Sequence, residues 1–184
     1  LGVRAAAIAA TGAGAALVAR LPGGTTDQLA ALAARFVALA APPEAAVFVT
    51  GRADVARATG AHGVILRAHD LAPGDVRPIV ADRAAVIRSV HTFEEARAAI
   101  AAGVDALVLG AIWATPTHDE RAPLGTGELV RVVSLGVPTY AIGGVTSARA
   151  VDAAAAGAWG VAAIRALWDA PDPYREAMEM LKPW

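Results

Sequence analysis

Ala84-Ala85-Val86-Ile87-Arg88-Ser89-Val90-His91-Thr92-Phe93-Glu94-Glu95-Ala96 contains the local rule of the whole chain. Its apolar start reads as a buried strand, and Thr92-x-x-Glu95 is a helix-start pattern. A strand that runs straight into a helix is one βα unit. His91 then falls at the strand's carboxyl end, where α/β folds carry their chemistry. Histidine is also the side chain best suited to moving protons near neutral pH.

The same alternation repeats on both sides. Short Val/Ile/Leu runs predict strands at about 15–20, 46–50, 62–66, 83–89, 104–110, 137–142 and 159–164. Alanine-rich amphipathic stretches predict helices near 2–11, 26–40, 52–60, 73–80, 92–102, 126–135, 146–156 and 168–182. Strands that are apolar throughout, each followed by a helix, imply a parallel sheet covered on both faces. Seven of them fit an α/β fold of the (β/α)8 TIM-barrel type lacking its first strand. An open doubly wound sheet is the weaker choice, because no Gly-x-Gly-x-x-Gly follows a strand. No linker-like stretch interrupts residues 1–184, so a single domain is expected.

Composition narrows the function. The chain has 16 basic and 17 acidic residues, a net charge of −1, and no basic block, so nucleic acid is not an expected partner. Residues 1–20 are apolar, but Gly12 and Gly14 interrupt them, and no run reaches membrane-spanning length. No membrane partner and no signal peptide are therefore expected. The absence of cysteine removes disulfides and thiol catalysis and fits a cytoplasmic setting. Lys182 is the only lysine, which argues against a Schiff-base lysine inside a barrel.

Candidate chemistry lies at the strand ends. Ser89 and His91 are two apart, so their side chains share a face if the strand persists. Gly143-Gly144 ends another strand ahead of the helix-capping Thr146, a pattern that lets backbone amides approach a phosphate. Gly160, Val161, Ile164 and Arg165 follow in the next unit and extend that phosphate site. The long loop Ala111–Gly125, with Thr115, Thr117 and His118, reads as a lid, a substrate-binding segment or a solvated loop. Arg20, Thr50-Gly51-Arg52 and Arg67 follow the early strands and suit an anionic substrate. Asp70 is the one plausible Mg2+ carboxylate among them, and a lone Asp is poor evidence for a metal. His62 opens a strand and reads as structural.

Taken in order, several motifs resemble the thiamine phosphate synthase/TenI family. They are Thr50-Gly51-Arg52-Ala53-Asp54, Gly60-Ala61-His62-Gly63-Val64 and Arg88-Ser89-Val90-His91 with Glu94-Glu95-Ala96. Leu109-Gly110, Thr115-x-Thr117, Pro123-Leu124-Gly125, Ala141-Ile142-Gly143-Gly144-Val145 and Gly157-Ala158-x-Gly160-Val161-Ala162 follow. The resemblance runs from about Arg4 to Pro173 and implies a phosphate-binding barrel. One branch of the family is a synthase that joins a pyrimidine pyrophosphate to a thiazole phosphate with Mg2+. The other is a TenI-like tautomerase that needs no metal.

The chain departs from the synthase pattern. Pro22 stands at a usual lysine, Thr50-Gly51 at an Asn-Asp magnesium motif, and His118 at the lysine of a Thr-x-Thr-Lys loop. Asp70 and Ser89 match. Fewer cations and carboxylates should hinder pyrophosphate departure. The expectation is therefore a thiazole tautomerase, an isomerase without cofactor, with His91 as acid/base and Ser89 beside it. Gly143, Gly144, Gly160, Val161, Ile164 and Arg165 would hold phosphate. Arg20 and Arg67 would hold a carboxylate, and Thr115 and Thr117 would line the substrate. A phosphorylated thiazole is the expected partner, and self-association is left open. The alternatives are a synthase, a transferase with Mg2+ at Asp70, or a non-catalytic phosphate-ligand binder.

Overall fold

Each apolar run forms a strand in the computed structural model, which describes residues 2–40, 45–115 and 122–184. Two compact units divide the chain, Leu1–Ile87 and Arg88–Trp184.

In the first unit, α1 (Gly2–Ala9) and a 3-10 turn lead to β1 (Ala16–Ala19). Then come α2 (Thr26–Ala40), β2 (Ala46–Thr50), α3 (Ala53–Thr59), β3 (Gly63–Leu66), α4 (Pro73–Val76) and the start of β4 (Ala85–Val90). The strand order is β1-β2-β3-β4. β1 and β3 both run parallel to β2, with Leu17 beside Val47 and Val49 beside Val64. Ala33, Phe36 and Ala40 recur at helical spacing on one face of α2 and are buried, as are Val47, Val49, Val64 and Leu66. Full burial of a Val or Leu side chain is worth about 1.5–3 kcal/mol, so these positions hold the unit together.

The second unit takes the end of β4, then α5 (Phe93–Ala101), β5 (Ala106–Gly110), α6 (Gly125–Val133) and β6 (Thr139–Ile142). α7 (Ser147–Ala155), β7 (Gly160–Ala162), α8 (Arg165–Trp168) and α9 (Pro173–Leu181) complete it. The order is β4-β5-β6-β7, and β6 runs parallel to β5 and β7. Every residue of β5 is buried, as a strand covered on both faces must be. Leu107, Leu109, Leu129 and Val132 anchor its core.

Parallel strands alternating with helices, each next to its predecessor in the chain, make an α/β fold of the TIM-barrel type. Seven strands stand among the described residues, one fewer than a (β/α)8 barrel. Two helices differ from expectation. The helix expected at 168–182 begins only at Pro173, because Pro171 and Pro173 interrupt its start, and the short α8 ends at Trp168. Proline lacks an N–H, so Pro173 fits only the first turn of α9, capped by Asp172, which accepts from the Arg175 N–H at 3.0 Å. The helix expected over 73–80 stops at Val76, two residues before Pro78. Among the described residues no helix is long and apolar enough to cross a membrane.

Candidate functional site

β4 ends at Val90, so His91 is the first residue beyond its carboxyl end. Two groups hold it there. The Glu95 side chain accepts from the His91 backbone N–H at 2.7 Å, and the Glu95 N–H donates to Thr92 Oγ1 at 3.1 Å, which caps α5. The His91 ring places Nδ1 2.5 Å from the Gly110 carbonyl oxygen at the end of β5. A carbonyl only accepts, so Nδ1 carries the proton and Nε2 is left as the acceptor of the neutral ring. A cavity of about 190 Å³ adjoins it, lined by His91, Thr92, Glu95, Gly110, Ala111, Ala122 and Leu124. Ser89 does not line this cavity.

The glycines after β6 are required by packing. Gly143 and Gly144 have φ of +93° and +67°, a region L side chains avoid. A Cβ on Gly143 would lie 2.5 Å from Ala111 Cβ, and one on Gly144 would lie 2.6 Å from the Ala114 carbonyl oxygen. Both carbonyls are engaged: the Trp113 N–H donates to Gly143 O at 3.1 Å, and Arg149 Nη1 donates to Gly144 O at 2.6 Å. Thr146 caps α7 by accepting from the Arg149 N–H at 3.3 Å. Gly160 and Val161 lie in β7, and Ile164 is the exposed residue before α8. Arg165 reaches back to the loop after β5, where its Nη2 donates to Thr115 Oγ1 at 2.9 Å. Thr117 and His118 lie outside the described residues.

The first unit carries its own cleft at the ends of β1, β2 and β3. Arg20, Arg52 and Arg67 line a cavity of about 260 Å³ together with Thr50 and the turn Leu21–Thr26. Arg20 and Arg67, read separately from the sequence, thus come together, and Arg52 and the turn join them. Arg52 is held by Asp54, with contacts of 2.9 and 2.5 Å, and by Thr26 Oγ1 at 2.5 Å. The hydrogen bond to Asp54 pushes the Arg52 pKa up, and Arg52 in turn holds the Asp54 carboxyl below its usual range. The α2 start closes the turn: the Thr25 N–H donates to Gln28 Oε1 at 3.0 Å and the Gln28 N–H to Thr25 Oγ1 at 3.3 Å. Expectation at residue 62 matches the contacts there, since His62 Nδ1 accepts the Val47 N–H at 3.0 Å and ties β3 to β2.

Asp70 is poorly suited to Mg2+. Its Oδ2 accepts from the Arg67 backbone N–H at 2.7 Å and from Nε at 3.1 Å, and its Oδ1 accepts from Nη2 at 2.9 Å. Magnesium at such sites is held by one or two free carboxylates together with waters and substrate phosphates. Here the carboxylate already serves a guanidinium, and position 51 supplies no side chain. Among the described residues no group of three His, Asp or Glu could hold a metal ion. The residues present do not fit the ion.

The thiamine monophosphate synthase (TMP-TENI) family model matches residues 3–167. The chain is 42% identical over 139 residues to a protein of Mycolicibacterium gilvum named thiamine-phosphate synthase, covering 74% of this chain and 58% of that one. It is 39% identical over 149 residues to one of the same name from Thermus thermophilus, covering 80% and 71%. The solved structure of thiamine phosphate pyrophosphorylase from Pyrococcus furiosus superposes with a TM-score of 0.86 at 30% identity, over 99% of this chain and 87% of that one. These relatives overturn the expected tautomerase and, with it, the isomerase assignment, because proteins this similar are named synthases. The missing lysines do not leave the cleft without positive charge, since three guanidiniums gather in it. The chain belongs to the thiamine monophosphate synthase family.

Proposed function

We propose that the chain is a transferase of the thiamine-phosphate synthase type, joining a pyrimidine pyrophosphate to a thiazole phosphate with release of pyrophosphate. The arginine cleft of the first unit is the observation that carries this reading. When the bond to the pyrophosphate breaks, the departing oxygen gains negative charge. Guanidinium groups held in place beforehand stabilise that charge without reorganising. Arg52 and Arg67, held beforehand by Asp54 and Asp70, would steady the leaving group, with Arg20, Thr26 and Thr50 beside them. In the second unit, the Gly143-Gly144 turn, Thr115 and Arg165 would receive the thiazole phosphate, and His91 would offer Nε2 to a ring or hydroxyl group. The partners are phosphorylated small molecules.

A pyrophosphate-release assay tests the reading. Release should require both substrates, with one pyrophosphate formed for each thiazole phosphate consumed. Release from the pyrimidine substrate alone, at the same rate, would mean hydrolysis and would sink the transferase assignment.

A further inference from the structure

Arg67 and Asp70 form an ion pair with opposite exposures. The Asp70 side chain is 10% exposed and that of Arg67 is 61% exposed. The acid is thus the anchored end, and the guanidinium is the end presented to solvent and to the cleft. A Cβ on Gly51 would lie 2.8 Å from Arg67 Nη2 and 2.9 Å from Asp70 Oδ2, on a backbone with φ of +71°. No side chain, a carboxylate included, fits at position 51 without displacing the pair. The guanidinium therefore fills the space that a ligating side chain at position 51 would need.

Resting on the reading of this cleft as the pyrophosphate-binding region, we propose that it holds a pyrophosphate group directly through guanidinium N–H groups, with no bridging divalent cation. Each guanidinium has five N–H groups in a fixed fork that matches phosphate oxygens. Arg67 uses two of them on Asp70, and Arg52 uses three on Asp54 and Thr26. Arg20 has no ion-pair partner among the described residues and lies at the open end of β1. The remaining N–H groups are available to a ligand with several oxygens. The hydrogen bond to Asp70 raises the Arg67 pKa further, which keeps its charge fixed. A divalent cation would meet three guanidinium charges here and two carboxylates, Asp54 and Asp70, each already engaged by an arginine. An oligoanion meets the reverse.

Isothermal titration of the purified chain with inorganic pyrophosphate, in EDTA and in MgCl2, tests this. The expected result is binding in EDTA at least as tight as in MgCl2. Arg67→Gln and Arg20→Gln should each weaken it by about tenfold, the scale of one lost charge-assisted hydrogen bond. Arg20 is exposed and holds no other residue in place, so that variant reads binding even if Arg67→Gln disturbs folding. Tighter binding in MgCl2, binding in neither buffer, or an unchanged Arg20→Gln overturns the proposal. Dependence on Mg2+ would leave the transferase reading standing, since that reading fails only in the product assay.

Discussion

His91 Nδ1 lies 2.5 Å from the Gly110 carbonyl oxygen, an atom that can only accept. The neutral ring is therefore expected to be the Nδ1–H tautomer, and two-bond 15N–1H correlation of the imidazole reads this directly. A neutral ring protonated on Nε2 would contradict it. Asp54 makes a second prediction. Arg52, and to a smaller extent the Val55 backbone N–H, hold its carboxyl below the usual range. A carboxyl with a depressed folded-state pKa adds stability above the ordinary value near 4 and loses it as pH falls through the lowered value. The pair is exposed, so solvent screening keeps the effect small. Asp54→Asn should lower stability slightly at pH 7 and not below pH 3, as followed by urea unfolding across pH. Arg52 was legible in the sequence only as one of several arginines after early strands. Only the turn at Leu21–Thr26 and the three strand ends, brought side by side, make it part of a cleft.

The helix starts after β4 and β6 share one device, a threonine whose hydroxyl accepts the N–H three residues on. Thr92→Ala and Thr146→Ala should each cost about 1 kcal/mol, measured as a shift in the urea midpoint at constant slope. The loss at Thr92 should also disturb His91, because Glu95 links the cap to the His91 backbone. At this scale the sequence is largely legible. α2 (Thr26–Ala40) and β2 (Ala46–Thr50) coincide with expectation, since apolar period and caps agree there. Expectation fails where proline intervenes. Pro78 follows close on the end of α4 and Pro173 restarts the last helix, while apolar residues continue past both prolines. The glycine pair at 143–144 was legible as a turn, but its packing against Ala111 and Ala114 depends on a loop distant in sequence.

The chain as a whole places its candidate residues by one rule. Arg20 and Arg67 directly follow β1 and β3, Arg52 lies two residues beyond β2, His91 follows β4, and Gly143 follows β6. That rule belongs to barrels of this type and was readable from the alternation of strands and helices. The choice between chemistries was not, because arginines after three separate strands suit any anionic substrate, and only the fold gathers them into one cleft. The cleft predicts a transferase whose leaving group is an oligoanion. The most direct measurement follows a mixture of the folded chain, the pyrimidine pyrophosphate and the thiazole phosphate by 31P NMR. The account predicts that inorganic pyrophosphate and thiamine phosphate appear together in equal amounts. Both substrates persisting unchanged beside folded protein would contradict it.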